Sequence, residues 1–172
     1  MLVVLMEIKK IVFDIDGVLR NLYPIIRRKY NLWSPSKYED WDDKGYNIYD
    51  LVEKDYSVLV KAKPTKYVKE IQKFIEITRR PIEIWSHQPA DWVPHTEEWA
   101  KLYFDNPIFL WLKPEEKYNR LQKEKNTILI EDNPNFKDYN RVWLISHPYN
   151  EDVKCDVRIR TLKDLRGKLY GS

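Results

Sequence analysis

The sequence predicts an α/β protein, a parallel sheet with helices on both faces and a small, mostly helical insertion near its start. Three observations carry this. Short apolar runs rich in β-branched and aromatic residues recur at 9–15, 82–86, 108–112, 127–131, 141–146 and 157–160, and such runs read as buried strands. Between most of them lie stretches with helical spacing, the alternation of a doubly wound sheet. The interval 21–63 breaks the alternation and is too long for a connection inside a compact sheet.

Taken in order, the first strand runs through Ile11, Val12 and Phe13 into Asp14, Ile15, Asp16 and Gly17. Two carboxylates at a strand end are costly to bury without a cation or donors, and Gly17 permits a sharp turn there. The apolar stretch from Met1 to Met6 is expected to lengthen this strand. It is too short to span a bilayer and lacks the basic start of a signal peptide. The interval 21–63 is rich in aromatics, among them Tyr23, Trp33, Trp41, Tyr46 and Tyr49, with Pro24, Pro35 and Gly45 as turn formers. A helix is expected from Pro64, with Tyr67, Val68, Ile71, Phe74 and Ile75 on one face. Another is expected from Thr96, a capping residue, with Trp99, Leu102 and Tyr103 on one face. Pro114 and the acids after it open a third, where they suit the helix dipole. Thr161 and Asp164 resemble a capping box.

A chain of 172 residues suffices for one core domain, 1–20 and 64–172, carrying the insertion 21–63. Charged residues at 33% beside hydrophobic ones at 43% describe a soluble globular protein, and a net charge of +3 argues for no partner. Basic clusters such as Arg27-Arg28-Lys29 and Arg79-Arg80 are interleaved with acids, which favours a solvated surface over a nucleic-acid patch. Cys155 is the only cysteine, so no intramolecular disulfide forms and a reducing cytoplasm is expected. His95 and His147 each sit beside a proline without metal-ligand spacing, and Ser86 and His87 are adjacent rather than facing. Glycine-rich phosphate loops of the kinase type are absent.

Polar groups close four of the strands in a fixed order: Asp14 and Asp16, then Ser86, then Lys113, then Glu131 and Asp132. Each alone is an ordinary turn. In sequence they resemble the four motifs of the haloacid dehalogenase (HAD) superfamily, over nearly the whole chain. The resemblance implies a Rossmann-like sheet of order 5-4-1-2-3 and a small cap inserted after the first motif. The third motif is the least fixed, because Lys113 lies closer to Glu131 than is usual and leaves Lys117, Lys123 and Lys125 as rivals.

The resemblance further implies a phosphatase dependent on Mg²⁺. Asp14 would attack phosphorus to give an aspartyl phosphate, Asp16 would serve as general acid and base, and Ser86 and Lys113 would bind phosphoryl oxygens. Asp14 and Asp132 would hold the ion, with the Asp16 backbone carbonyl, and Glu131 could share it. The second acid, Asp16, separates phosphatases and mutases from dehalogenases. The expected substrate is a small phosphorylated molecule, with (deoxy)nucleoside monophosphates suggested by a similarity to the 5′(3′)-deoxyribonucleotidase group. Alternatives are a sugar-phosphate or polynucleotide-end phosphatase, or a non-catalytic binding module of the same fold. One of Tyr23, Trp33, Trp41 or Tyr46 is expected to overhang the site, against the simpler reading that these aromatics form the insertion's own core.

Overall fold

A computed structural model describes residues 10–32, 42–43, 46–137 and 139–171. The chain runs β1 (Lys10–Phe13), β2 (Arg20–Asn21), α1 (Leu22–Tyr30), β3 (Asp42–Asp43), β4 (Tyr46–Asn47), α2 (Ile48–Glu53), α3 (Ser57–Lys61) and β5 (Lys63–Pro64). It continues through α4 (Val68–Thr78), β6 (Glu83–Ser86), α5 (Val93–Lys101), β7 (Ile108–Trp111), α6 (Pro114–Lys123), β8 (Thr127–Glu131), β9 (Val142–Ile145), β10 (Val157–Ile159) and α7 (Leu162–Tyr170). Six strands form one sheet in the order β10-β9-β8-β1-β6-β7, and every pairing in it is parallel. The order 5-4-1-2-3 is present, with a sixth strand added outside the fifth.

Both faces of the sheet are covered, which is why its strands read as unbroken apolar runs rather than alternating ones. Phe13, Ile84, Ile128 and Ile130 point into a cluster with Tyr67, Val68 and Ile71 around α4 and with Leu165 of α7. Val12, Trp85 and Leu129 point the other way, against Leu121 of α6, Phe136 and Val142. A third cluster lies between β2 and β5: Leu22, Ile26, Leu32, Ile48, Leu51, Val52, Val58, Leu59 and Ala62, joined by Trp92 from the loop after β6. The strands that enter and leave this stretch, β2 and β5, pair antiparallel with Arg20 opposite Pro64.

Two helix starts differ from expectation. The helix expected from Pro64 begins at Val68, because Lys63 and Pro64 are spent on the ribbon with β2; proline serves there, having no N–H to donate. The helix expected from Thr96 begins three residues earlier, with Pro94 in its first turn. Thr96 is thereby carried inside the helix and fully buried. At α7 the cap is as read: Asp164 N donates to Thr161 Oγ1 at 3.1 Å and Asp164 Oδ2 accepts from Thr161 N at 2.8 Å. Met1–Met6, Trp33 and Trp41 lie outside the described residues, as does the Tyr46 side chain. Among the described residues, no helix is long and apolar enough to cross a membrane.

Candidate active site

The carboxyl ends of β1, β6 and β8 open on one pocket, lined among others by Asp14, Asp16, Ser86, Lys117, Glu131 and Asp132. This is the edge where parallel sheets place their ligands. Asp14 is the first residue beyond β1, and its N–H still donates to Ile130 O on β8 at 2.9 Å. The chain then folds tightly, with Leu19 N and Arg20 N both donating to Ile15 O at 2.9 and 2.8 Å. Gly17 is required in this loop twice over. Its φ is +80°, and a Cβ there would lie 2.7 Å from Asp132 Cγ and 3.1 Å from Tyr149 Oη.

Asp14, Glu131 and Asp132 each offer a carboxylate oxygen within 4.8 Å of the others, and all three are buried. The cation among them is Lys117, not Lys113. Lys117 Nζ donates to Asp14 Oδ1 at 2.6 Å and to Glu131 Oε2 at 2.8 Å from a position only 4% exposed. Lys113 is exposed at the start of α6, where its backbone N–H donates to Glu116 Oε2 at 2.7 Å. The displacement is one helical turn: residues four apart share a helix face, and the later one reaches inward. Lys123 and Lys125 are exposed.

Three buried carboxylates against one ammonium leave excess negative charge, and the proton affinities reflect it. Burial raises Asp14 to about 7, and Glu131 pushes in the same direction, outweighing Lys117. Burial likewise raises Asp132 to about 7, with Asp14 adding repulsion. Glu131 is also raised, chiefly by burial. Burial alone would lower Lys117, but the facing carboxylates of Asp14 and Glu131 more than offset it and hold the ammonium above its ordinary value.

The donor set fits a hard divalent cation. Both Glu131 oxygens are committed, Oε2 to Lys117 and Oε1 to the N–H groups of Asp132 and Asn133 at 3.1 and 3.3 Å. Asp14 gives Oδ1 to Lys117 and Asp132 gives Oδ2 to the Tyr149 hydroxyl. One oxygen of each aspartate, Asp14 Oδ2 and Asp132 Oδ1, takes no donor among the described residues. One or two carboxylates completed by water and phosphate oxygens is what Mg²⁺ prefers.

Asp16 is half-buried and held by a second cluster. Arg20, fully buried, grips it with both arms, Nε to Oδ1 at 2.7 Å and Nη2 to Oδ2 at 2.9 Å. The same guanidinium donates through Nη1 to Thr96 Oγ1 at 3.1 Å and to Leu59 O at 3.3 Å, so it ties Asp16 to α5 and to α3. Gln88 Nε2 donates to Asp16 Oδ2 at 2.9 Å and to Ser86 Oγ at 3.4 Å. Ser86 is buried at the end of β6.

At the rim, Tyr49 from α2 is 42% exposed, and its ring lies 5.2 Å from that of Trp92 at 33°. Burial, then the charges of Asp16 and Asp14, push its phenol above its ordinary range, so it senses the acids of the pocket. His87 is exposed and lines the same pocket. His95 stacks on Tyr56 with ring centroids 5.0 Å apart. Cys155 Sγ lies 3.6 Å from Val157 O. Tyr23 packs against the third cluster and lines a smaller cavity beside Asp16 and Tyr149.

The structure thus brings Asp14, Asp16, Ser86, Glu131 and Asp132 together and leaves Lys113 out. Sequence reasoning missed Arg20, Gln88, Thr96 and Tyr149. The one available signal was Arg20, a charged residue set between the apolar Val18-Leu19 pair and the insertion.

No protein-family model and no curated protein matches the chain. Solved structures do match it in fold. A HAD family hydrolase from Deinococcus radiodurans R1, with bound phosphate and sodium, superposes with a TM-score of 0.56 at 12% identity, covering 95% of each chain. A HAD phosphatase from Thermococcus onnurineus gives 0.53 at 17% identity, over 95% of this chain and 99% of that one. A dehalogenase gives 0.58 at 9% identity, over 95% and 97%. At the ends of β1, β6 and β8, then, this chain places its acids and Ser86, with Lys117 reaching in from α6, on a sheet similar in fold to those of these solved hydrolases.

Proposed function

We propose that the protein is a phosphomonoesterase dependent on a divalent cation, acting on a small phosphorylated substrate. The observation that carries this reading is the convergence of Asp14, Glu131 and Asp132 within 4.8 Å of one another, with Lys117 anchored between two of them. A phosphate ester is anionic, so a carboxylate can approach it only where cations cancel the repulsion. Asp14, Asp132 and the Asp16 backbone carbonyl would hold Mg²⁺, which when bound would supply that cancellation and polarise the phosphoryl group. Asp14 attacks phosphorus and becomes an aspartyl phosphate, which divides one hard step into two. Ser86 Oγ and Lys117 Nζ bind the phosphoryl oxygens, where charge spreads in the transition state.

Asp16 protonates the departing oxygen and later takes a proton from the attacking water. It accepts from three donors here, so one must yield to the leaving group. Gln88 is the neutral one, and exchanging it leaves the bidentate Arg20 pair intact. This acid also favours ester hydrolysis over dehalogenation, since an alkoxide needs a proton to leave and a halide does not. Residues 21–63, whose described apolar residues cluster with Trp92, are assigned as the cap over this pocket, on a core of 1–20 and 64–172. A single cysteine supports a reducing, cytoplasmic setting.

Nucleoside monophosphates are the substrate class that the rim supports best, because the exposed Tyr49 ring, backed by the buried Trp92, gives the pocket of Asp16 an aromatic wall. Base stacking on such a wall contributes about 1–3 kcal/mol. A panel of nucleotides and sugar phosphates, assayed with Mg²⁺ and with EDTA, tests both levels. Hydrolysis that needs Mg²⁺ supports the phosphatase reading, and hydrolysis of none of them sinks it. Tyr49→Ala is expected to raise KM for nucleotides roughly tenfold, about 1.4 kcal/mol, and to leave a small acyclic phosphate nearly unchanged. Equal losses on both remove the nucleotide assignment.

A further inference from the structure

The loop after β9 reaches back across the sheet edge and touches both halves of the acid cluster. His147 Nε2 lies 2.6 Å from Gly17 O, which fixes the ring as the tautomer protonated at Nε2, since a carbonyl only accepts. Burial lowers this imidazole's proton affinity, in keeping with a neutral ring. Tyr149 stacks on it, centroids 5.1 Å apart and 9° from parallel, and donates its hydroxyl to Asp132 Oδ2. Asn150, fully buried, donates Nδ2 to Asp132 O at 2.7 Å and to Ile145 O at 2.8 Å. Its Oδ1 in turn accepts from His147 N at 2.9 Å and from Arg158 Nη1 at 3.3 Å.

We propose that Tyr149 is a positioning residue of the cation site, braced by His147 and Asn150, which fixes the Asp132 carboxylate so that Oδ1 alone is offered to the ion. This rests on the cation-dependent reading above. The physical reason is rotational. Asn150 pins the Asp132 backbone, but the carboxylate can still turn about its last torsion, a broad and nearly two-fold well. Glu131 is a weak support for it, because its own oxygens already accept from Lys117 and from backbone N–H groups. The Tyr149 hydroxyl donates directly to an Asp132 carboxylate oxygen, Oδ2. The ring is itself held by stacking on a histidine anchored to the opposite loop, so the two motif loops and Asp132 share one support. Partners that orient metal ligands in this way typically cost 10–100-fold in affinity when removed.

The test is calorimetric titration of the metal-free protein with Mg²⁺, alongside its melting temperature. Tyr149→Phe removes one oxygen from a half-buried ring and keeps the stack. It is expected to weaken Mg²⁺ binding tenfold or more while moving the metal-free melting point little. In the double variant Tyr149→Phe/Asp132→Asn, the tyrosine change is expected to cost nothing further, because its whole effect runs through Asp132. Unchanged or tighter Mg²⁺ binding by Tyr149→Phe overturns the inference, tighter binding meaning that the hydroxyl competes with the ion. A full tenfold loss persisting on top of Asp132→Asn overturns it as well. Absence of saturable Mg²⁺ binding by the wild type removes the inference and the cation reading together, whereas wild-type binding with an indifferent Tyr149→Phe removes the inference alone.

Discussion

Replacing Lys117 with Met separates the lysine that works from the one that merely looks right. The ammonium is 4% exposed and makes two charge-assisted hydrogen bonds, at 2.6 and 2.8 Å. Met keeps the length and apolar stem but leaves Asp14 and Glu131 buried without their cation. Breaking a buried pair from one side costs about 3–5 kcal/mol, and for a chain of this size each kcal/mol moves Tm by roughly 2–4 °C. A fall in Tm of the order of 6–20 °C is therefore expected at neutral pH, with turnover lost by orders of magnitude. The fall should shrink at acid pH, where the two carboxylates take up protons and no longer need the partner. Lys113→Ala is the control. Its side chain is exposed and only its backbone is engaged, the N–H with Glu116 and the carbonyl with Lys117 N, so a change within about 0.5 kcal/mol is expected, with near-normal turnover. Thermal melts at two pH values, with initial rates in Mg²⁺, read both variants. A silent Lys117→Met beside an inactive Lys113→Ala would refute the reasoning.

Asp14→Asn is expected to abolish turnover and to leave the metal-free fold at least as stable, since it deletes a charge that burial disfavours; near-normal hydrolysis would end the nucleophile assignment. Asp132→Ala is expected to weaken the recovery of EDTA-treated protein by Mg²⁺ more than Glu131→Ala does, because Glu131 already spends both oxygens on the protein. A titration in the reverse order moves the ligand by one residue. Burial and repulsion from neighbouring carboxylates hold Asp14 and Asp132 at about 7 in the folded chain, above the ordinary 3.8 of an aspartate. Their contribution to stability is therefore full below about pH 4 and lost as pH rises to about 7, in total by the order of a few kcal/mol. Mg²⁺ should consequently raise Tm more at pH 8 than at pH 5, and a flat response would contradict the buried acid cluster. Gly17→Ala should unfold the first loop or displace Asp132, since its Cβ would fall 2.7 Å from Asp132 Cγ; wild-type Mg²⁺ affinity in this variant would rule that out.

The sequence by itself determined what depends on neighbours along the chain. Six apolar runs with helical stretches between them are local patterns, and the parallel sheet buries both of its faces as such runs require. Asp14, Ser86 and the Glu131–Asp132 pair were legible because a residue just past a buried strand in such a sheet has one place to be, the open edge. The Thr161–Asp164 cap was legible for the same reason: its partners are three residues apart. Tertiary structure alone decided matters that turn on phase or on distant partners. Lys113 and Lys117 occupy one face of one helix, and which of them meets Asp14 depends on how α6 is rolled against the sheet. The start of α4 moved from Pro64 to Val68 because Arg20, forty-four residues earlier, lies opposite that proline in a ribbon. Gln88 reaches Asp16 from the loop after β6, Thr96 of α5 supports the Arg20 that grips it, and Tyr149 reaches Asp132 from the far side of β9. Each of those contacts joins residues distant in sequence, brought together because packing left polar groups away from water and in need of partners.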